Sequence, residues 1–453
     1  MFAKNSFIML IQFVVKNFAC FKEETKLSMV ASSYDRSTRW EDNVIQVPKF
    51  NLNLLRSAII YGANASGKTK LFNAMAFMSY MVRTSSKDKQ ADEPIDTNQF
   101  KLNTESEDAP SFFEVVFIFQ NEMYRYGFEV TTKEVVSEWL YHRKSTKEIM
   151  LFYRDYQNFD DVHSKFKKGK VLIDNRMVKK NTLLLSAAAQ FDDEIAQSVL
   201  HWFSNFNIFS GLHDSQYTGF SMSMLSEKEL KPEIMKFINS ADLNIVDLKP
   251  VELNLDELPK DMPKKMKDSI IKSVKEGNTL FSDVSVVHKK YDANNNLVGS
   301  AEFSLDDEES SGTKKYFSFS APLIVTLKNG EVTVIDELDA KLHPNLVCKI
   351  VALFNSKETN PNNAQLIFNT HDTNLLSSRL FRRDQIWFTE KDRYGAATLY
   401  SLNDFKKEDG GKARNNEDYE INYIQGKYGA IPYLGDFDKL FRNQKPVVYE
   451  NEK

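Results

Sequence analysis

The sequence predicts an α/β protein: a parallel sheet carrying a phosphate-binding loop, joined to an antiparallel β lobe and interrupted by a helical insertion. Three observations predict it. A short apolar run, Ser57 to Tyr61, ends in a Gly-rich loop that opens a segment with helical spacing. Strand-like alternation recurs between Leu10 and Trp139. A βα alternation runs from Val332 to about Leu402, after a stretch whose apolar period is helical.

In chain order, Leu10 to Phe18 and Cys20 to Met29 are rich in Ile, Val and Phe and read as strands, followed by a polar segment around 32–43. The apolar run Phe7 to Val15, with Lys4 before it and Cys20 after it, loosely imitates a lipoprotein leader. Gln12 and Lys16 interrupt the run and Asn17-Phe-Ala-Cys20 is a poor cleavage site, so a first core strand is the better reading. Met9 is a second candidate start. After the Gly-rich loop, Leu71, Met75, Met78 and Val82 fall on one helical face, and 83–110 is polar and Pro-containing, hence loop. Phe112 to Trp139 alternates as an antiparallel hairpin. Ile195, Val199, Trp202, Phe203 and Phe206 mark one face of an amphipathic helix, and charged helical segments follow at 226–239 and 257–276. Strands resume at Val284–Tyr291 and Val298–Leu305, with Asn294 to Asn296 as their turn. The expected domains are therefore 9–184, a first half with the phosphate loop and β lobe; 185–283, a compact helical insertion; and 284–453, a second half. No repeat or heptad array is present, so no long coiled coil is expected.

Composition bounds the classes. The chain has 453 residues, 59 basic and 63 acidic, a net charge of −4 and 42 % hydrophobic residues, which describes an ordinary globular protein and excludes a disordered chain or a basic nucleic-acid coat. A local basic groove stays open. Two distant cysteines, Cys20 and Cys348, supply neither a disulfide framework nor a Cys-based zinc site, so a reducing cytoplasm is the expected compartment. No apolar run reaches the ~18 residues that span a bilayer, so no membrane partner is expected.

The chemistry is concentrated in four places. Gly62-Ala-Asn-Ala-Ser-Gly67-Lys68-Thr69 fits G-x-x-x-x-G-K-[ST] between a strand and a helix. Gly62, Asn64, Ala65, Ser66 and Gly67 are the positions whose backbone would wrap phosphates, Lys68 supplies a point charge, and the Thr69 hydroxyl suits Mg²⁺. This predicts a nucleoside triphosphate, ATP with Mg²⁺. Val332-Thr-Val-Ile-Asp336-Glu337 is a buried strand ending in two carboxylates, Asp336 suited to hold Mg²⁺ through water and Glu337 to activate an attacking water. Gln365 to His371 is a strand whose terminal His could sense a γ-phosphate. Glu309-Ser310-Ser311-Gly312-Thr313 offers a Ser and backbone amides at a helix start, suited to a phosphate brought by another subunit.

That order, with Asp339 between the Asp-Glu strand and His371, resembles the ATP-binding-cassette-type heads of SMC and RecF proteins. The resemblance implies two heads sandwiching two ATPs, with Ser310 to Gly312 of one subunit completing the other's site and Asp339 in the coupling loop. It implies Lys68 and Thr69 on phosphate and metal, Asp336 on metal, Glu337 as base and His371 as switch. It also implies a Gln from a Q-loop, for which Gln99 and Gln120 are both candidates. More narrowly, "MLIQFVVKNFACFKE", "YGANASGKT", "ESSGT", "VIDELDAKLHP", "NTHD" and "YIQGKYGAIPYL" together resemble the AAA-type, ABC-like ATPases of bacterial anti-phage and abortive-infection systems. These include AriA of the two-gene PARIS system and the ATPases paired with RloB-type proteins. This resemblance implies a homo-oligomeric sensor or scaffold, a co-encoded effector such as a Toprim-type nuclease, and a phage protein as trigger.

Rival readings stay in view. A RecF-like DNA clamp shares the head, although about 267 residues between Lys68 and Asp336 are too few for long arms. A self-contained nuclease would use Glu390, Asp436 and Asp438 as metal ligands. A transporter subunit would need a shorter gap between the two halves of the site.

Overall fold

The computed structural model describes residues 7–87, 90, 92–160, 162–212, 215–241, 243–258, 262–276, 279–405 and 417–432. Its centre is a six-stranded sheet built from β1 (Ser57–Gly62), β2 (Phe206–Ser210), β3 (Val332–Asp336), β4 (Gln365–Asn369), β5 (Ile386–Lys391) and β6 (Ala397–Ser401). The spatial order is β2-β3-β4-β1-β5-β6, parallel throughout except for β6. Every residue of β1 and β4 is buried, as expected where a parallel sheet is covered on both faces.

Alternation along these strands sets a separate core against each face of the sheet. Ala58, Ile60, Val332, Val334, Ile367 and Trp387 point to one side, and Ile59, Tyr61, Ile335, Leu366, Phe368 and Phe388 to the other. The first side is covered by α1 (Lys68–Thr84), α2 (Leu184–Gln190) and α3 (Glu194–Ser204) and by the β lobe. That lobe is a seven-stranded antiparallel sheet in the spatial order 158–160, 148–155, 135–143, 122–130, 111–119, 8–16, 25–28. The apolar run near the N-terminus is thus a strand, Ile8–Lys16, paired with Ser111–Phe119 and Thr25–Ser28. Gln365 ties it to the central sheet, accepting from Leu10 N–H at 2.6 Å and donating to the Leu55 carbonyl at 2.9 Å.

The second side is covered by α4 (Ser215–Leu225), α5 (Lys231–Asn239), α7 (Ser311–Asn329) and α8 (Pro344–Phe354), with α6 (Lys264–Lys275) standing exposed. The segment around α9 (Tyr419–Ile424) closes this side, Tyr423 lying 5.4 Å from the Tyr61 ring and Tyr428 5.8 Å from Phe388.

The stretch 185–283, expected to be helical, carries two strands and the start of a third among the described residues. Phe206 does not continue the α3 face: the helix ends at Ser204 and Phe206–Ser210 pairs in register with Val332–Asp336. A five-residue strand directly after a helix leaves too few positions for its period to show. Ile245–Glu252 likewise pairs with Phe281–Tyr291, which pairs in turn with Leu297–Ser304 across the Asn294–Asn296 turn. Instead of one compact body, the stretch sends α2 and α3 to the first core and α4 and α5 to the second.

One buried polar knot joins the lobe to α2. Glu138 accepts from Leu184 and Leu185 N–H at 2.7 and 3.0 Å and from the Tyr126 hydroxyl at 2.9 Å, beside the Arg154 guanidinium at 3.6 Å. Burial pushes its carboxyl up, while Arg154 and the two amides pull it down. Glu138→Ala strands a fully buried cation and two helix N-terminal amides. It is expected to lower the unfolding free energy by about 3–5 kcal/mol, read from the shift of the urea midpoint.

Candidate active site

The carboxyl ends of β1, β4 and β3 meet at one edge of the sheet, where ligands of open α/β sheets bind. β1 delivers the loop 62–69. Gly62 is at φ 157° and Gly67 at φ 123°, and a Cβ at Gly62 would stand 2.4 Å from the Thr389 carbonyl, so the close approach of β5 requires glycine there. Asn64 and Ala65 form the exposed tip, with Ala65 left-handed at φ 63°. Ser66 is buried, its hydroxyl 2.6 Å from that of Thr389. A Cβ at Gly67 would lie 3.0 Å from Cys20 Sγ, so the Asn17–Cys20 turn supports the loop from below.

Lys68 opens α1 and is 6 % exposed. Its ammonium donates to the carbonyls of Gly62 at 2.7 Å and Ala63 at 3.1 Å. Burial pushes it below its usual range, and Glu337, Asp336 and Asp339 oppose that shift. The Thr69 hydroxyl donates to Asp336 Oδ1 at 3.1 Å, which joins the two halves of the site across 267 positions of sequence.

The Asp-Glu strand carries its own strain. Glu337 sits at φ 55°, an uncommon conformation for a residue with a Cβ and one found at functional turns. Asn369 holds it there: its amide donates to Asp336 Oδ1 and its Oδ1 accepts from Glu337 N–H at 2.6 Å. Gly211, just after β2, donates its N–H to the Asp336 carbonyl, and a Cβ there would meet the Glu337 carbonyl at 2.0 Å. Asp339 Oδ2 accepts from His371 N–H at 3.2 Å, while its Oδ1 is buried without a partner. Desolvation and the charge of Lys68 hold the His371 imidazole below its usual range, against the pull of Asp339, Glu337 and Asp336.

The structure thus gathers Lys68, Thr69, Asp336, Glu337, Asp339 and His371 in one neighbourhood. Ser310, Ser311 and Gly312 lie at the start of α7. Ser310 caps α7, its hydroxyl accepting from Thr313 N–H at 3.1 Å, and a Cβ on Gly312 would lie 3.1 Å from the Lys341 carbonyl. Among the described residues no hydrogen bond joins these three to the phosphate loop. Of the two glutamines, Gln99 is buried beside Asn98, whose carbonyl accepts from Ala19 N–H near Cys20. Gln120 lies in the turn after Phe119, which pairs with Ile8, so the length of the Ile8–Lys16 strand, roughly 25 Å, separates it from the Asn17–Cys20 turn.

Glu390 is engaged elsewhere, accepting from Ala430 N–H at 2.9 Å. Asp436 and Asp438 lie outside the described residues. Among the described residues no group of three or more His, Cys, Asp or Glu is disposed to hold a metal. A Thr hydroxyl beside one carboxylate nevertheless fits Mg²⁺, which takes most of its ligands from phosphates and water.

Asn369 and Thr389 are site residues that sequence reasoning missed. Asn369 had a readable signal: a polar side chain at the last position of an apolar strand, two residues before His371. Thr389 had none.

A phosphate loop, a strand ending in Asp-Glu and a third strand between them define a P-loop nucleotide-binding protein. Residues 57–377 match the family described as "AAA domain, putative AbiEii toxin, Type IV TA system", and the chain belongs to that family. No curated protein matches it. Among solved structures it is remotely similar to an SMC head domain from Thermotoga maritima, at 12 % identity and TM-score 0.40, covering 86 % of this chain and 98 % of that one. It is also similar to an Smc head domain with an extended coiled coil bound to the C-terminal domain of ScpA, derived from Pyrococcus furiosus, at 12 % identity and TM-score 0.36, covering 88 % and 96 %. Among the described residues no helix is long and apolar enough to cross a membrane.

Proposed function

We propose that this protein binds ATP with Mg²⁺ and hydrolyses it, and that it works as an oligomeric sensor or scaffold in a bacterial anti-phage system, holding and releasing an effector. The observation that carries the catalytic part is the hydrogen bond between Thr69 and Asp336, which places the phosphate loop and the Asp-Glu strand at one site. The family, whose description includes a toxin-antitoxin system, supports the biological part.

In this reading the amides of residues 62–67 wrap the triphosphate, and Lys68 turns from its own loop carbonyls to the phosphates. Thr69 and Asp336 would hold Mg²⁺, which when bound neutralises charge on the phosphate oxygens. Glu337 accepts a proton from the attacking water, with Asn369 fixing its backbone. His371, neutral near pH 7, offers a hydrogen bond where the γ-phosphate ends, and Asp339 fixes its backbone. Ser310 to Gly312, which make no hydrogen bond to their own loop among the described residues, would serve a second subunit, so ATP occupancy and oligomerisation are linked.

The full chain co-expressed with its gene neighbour and purified with ATP or ADP tests the reading. The expected result is co-purification that depends on the nucleotide and a larger mass with ATP. A monomer that retains no neighbour under either condition would overturn the scaffold role. The DNA-clamp alternative is favoured by one observation: α6 carries Lys264, Lys265, Lys267, Lys272 and Lys275 and buries none of its residues. DNA binding that weakens steeply with salt would support it.

A further inference from the structure

Among the described residues three arginines are almost wholly buried, and two of them are neutralised. Arg154 stands beside Glu138, and Arg382 makes a two-point contact with Asp384 at 3.0 and 2.8 Å. Arg56, 3 % exposed, has no carboxylate within ion-pair distance among the described residues. Its Nη1 donates to the Asn360 carbonyl at 3.0 Å, while its Nε is buried with no partner among the described residues. Asp42 acts on it only from a distance, its carboxylate being 3.4 Å from Arg39. Burial accordingly pulls the guanidinium down to about 10. A buried cation without a counter-charge is costly, and proteins retain one where something supplies the missing charge.

The surroundings indicate what that is. Arg56 lines a cavity of about 370 Å³ together with Trp40, Glu41, Gln46, Lys357 and Asn363. This volume suits a small molecule. The cavity stands at the start of β1, whose other end carries Gly62, roughly 20 Å away along six residues of strand. It is therefore separate from the phosphate loop. Lys357, exposed and without an ion pair among the described residues, adds a second positive charge, and Glu41 on the rim removes one. One net positive charge favours a single oxyanion over a polyphosphate. The Trp40 ring supplies a flat wall, stiffened by the Arg382 guanidinium 5.3 Å from its centre, and Gln46 and Asn363 offer neutral hydrogen bonds.

We propose that this cavity binds a small molecule through an oxyanion group, a carboxylate or a phosphate, which completes the charge of Arg56. Nη1 is committed to the Asn360 carbonyl, and Nη2, which makes no hydrogen bond among the described residues, is the donor that meets such a group. The site is independent of ATP.

Thermal unfolding of the full chain with inorganic phosphate or succinate, against NaCl at matched ionic strength, tests the proposal in wild type, Arg56→Met and Lys68→Ala. Each active probe should raise the midpoint of wild type and Lys68→Ala, and in Arg56→Met the same rise should need at least about tenfold more of it. Arg56→Met without anion should be as stable as wild type or more so, because it removes an uncompensated buried charge. A response to phosphate alone or to succinate alone supports the site and assigns its chemistry. Should Arg56→Met fail to fold, Lys357→Met on the exposed wall serves instead, with an expected several-fold loss of affinity. The proposal is overturned if neither anion stabilises wild type beyond NaCl, if the variants at 56 and 357 respond as wild type does, or if the response disappears in Lys68→Ala.

Discussion

Glu337→Gln is expected to lower ATP turnover by about 10²–10⁴-fold while leaving ATP binding intact. The substitution keeps the size and hydrogen-bonding reach of the side chain and removes only its ability to take a proton. The geometry around it is over-determined. The residue is held at φ 55° by the Asn369 side chain on its N–H, and Gly211 packs so closely against its carbonyl that a Cβ there would stand at 2.0 Å. Neither contact involves the carboxylate, so neither should respond to the change. Asp336, which bonds Thr69 and Asn369, is also untouched. A phosphate-release assay beside an equilibrium nucleotide titration separates the two effects. Turnover equal to wild type would remove Glu337 from the role of base, and lost binding would show that its charge serves the triphosphate instead.

How much of this was legible in the sequence follows from which interactions are local. The phosphate loop is one contiguous segment whose glycines, lysine and threonine act through their own backbone and side chains, so its spelling carries its geometry. The Asp-Glu strand and His371 are readable for the same reason, each terminating an apolar run at the sheet edge. What joins them is not local. Strand β4 lies between β1 and β3, and only that placement lets Asn369 bridge Asp336 and Glu337. Thr389 reaches Ser66 across 323 positions, and nothing about a threonine inside a buried strand announces it. The misread stretch fails on another ground. Phe206 satisfies the helical period of α3 and the alternation of a strand equally well, and the open edge of β3 decides between them. Arg56 shows the limit most plainly, since an arginine ahead of an apolar strand reads as a surface charge until the fold closes over it.

Lys68→Ala is expected to abolish measurable ATP binding, a loss of about 10²-fold or more, and with it any ATP-linked change in oligomeric state. The size of the effect comes from what surrounds the ammonium. Glu337, Asp336 and Asp339 all act on it electrostatically, so its charge offsets that of three neighbouring carboxylates. Removing it does more than delete one contact to a phosphate: the triphosphate and its Mg²⁺ would then meet three negative side chains without this counter-charge. The fold should survive. Among the described residues the ammonium bonds the Gly62 and Ala63 carbonyls, and losing their donor costs about 1–3 kcal/mol at most, since Ala63 is partly open to water. A circular-dichroism melt within a few degrees of wild type, beside a fluorescent-nucleotide titration that stays flat, is the expected pair of results. Nucleotide affinity unchanged in Lys68→Ala would mean that the triphosphate does not sit against this loop, whatever the loop's spelling suggests.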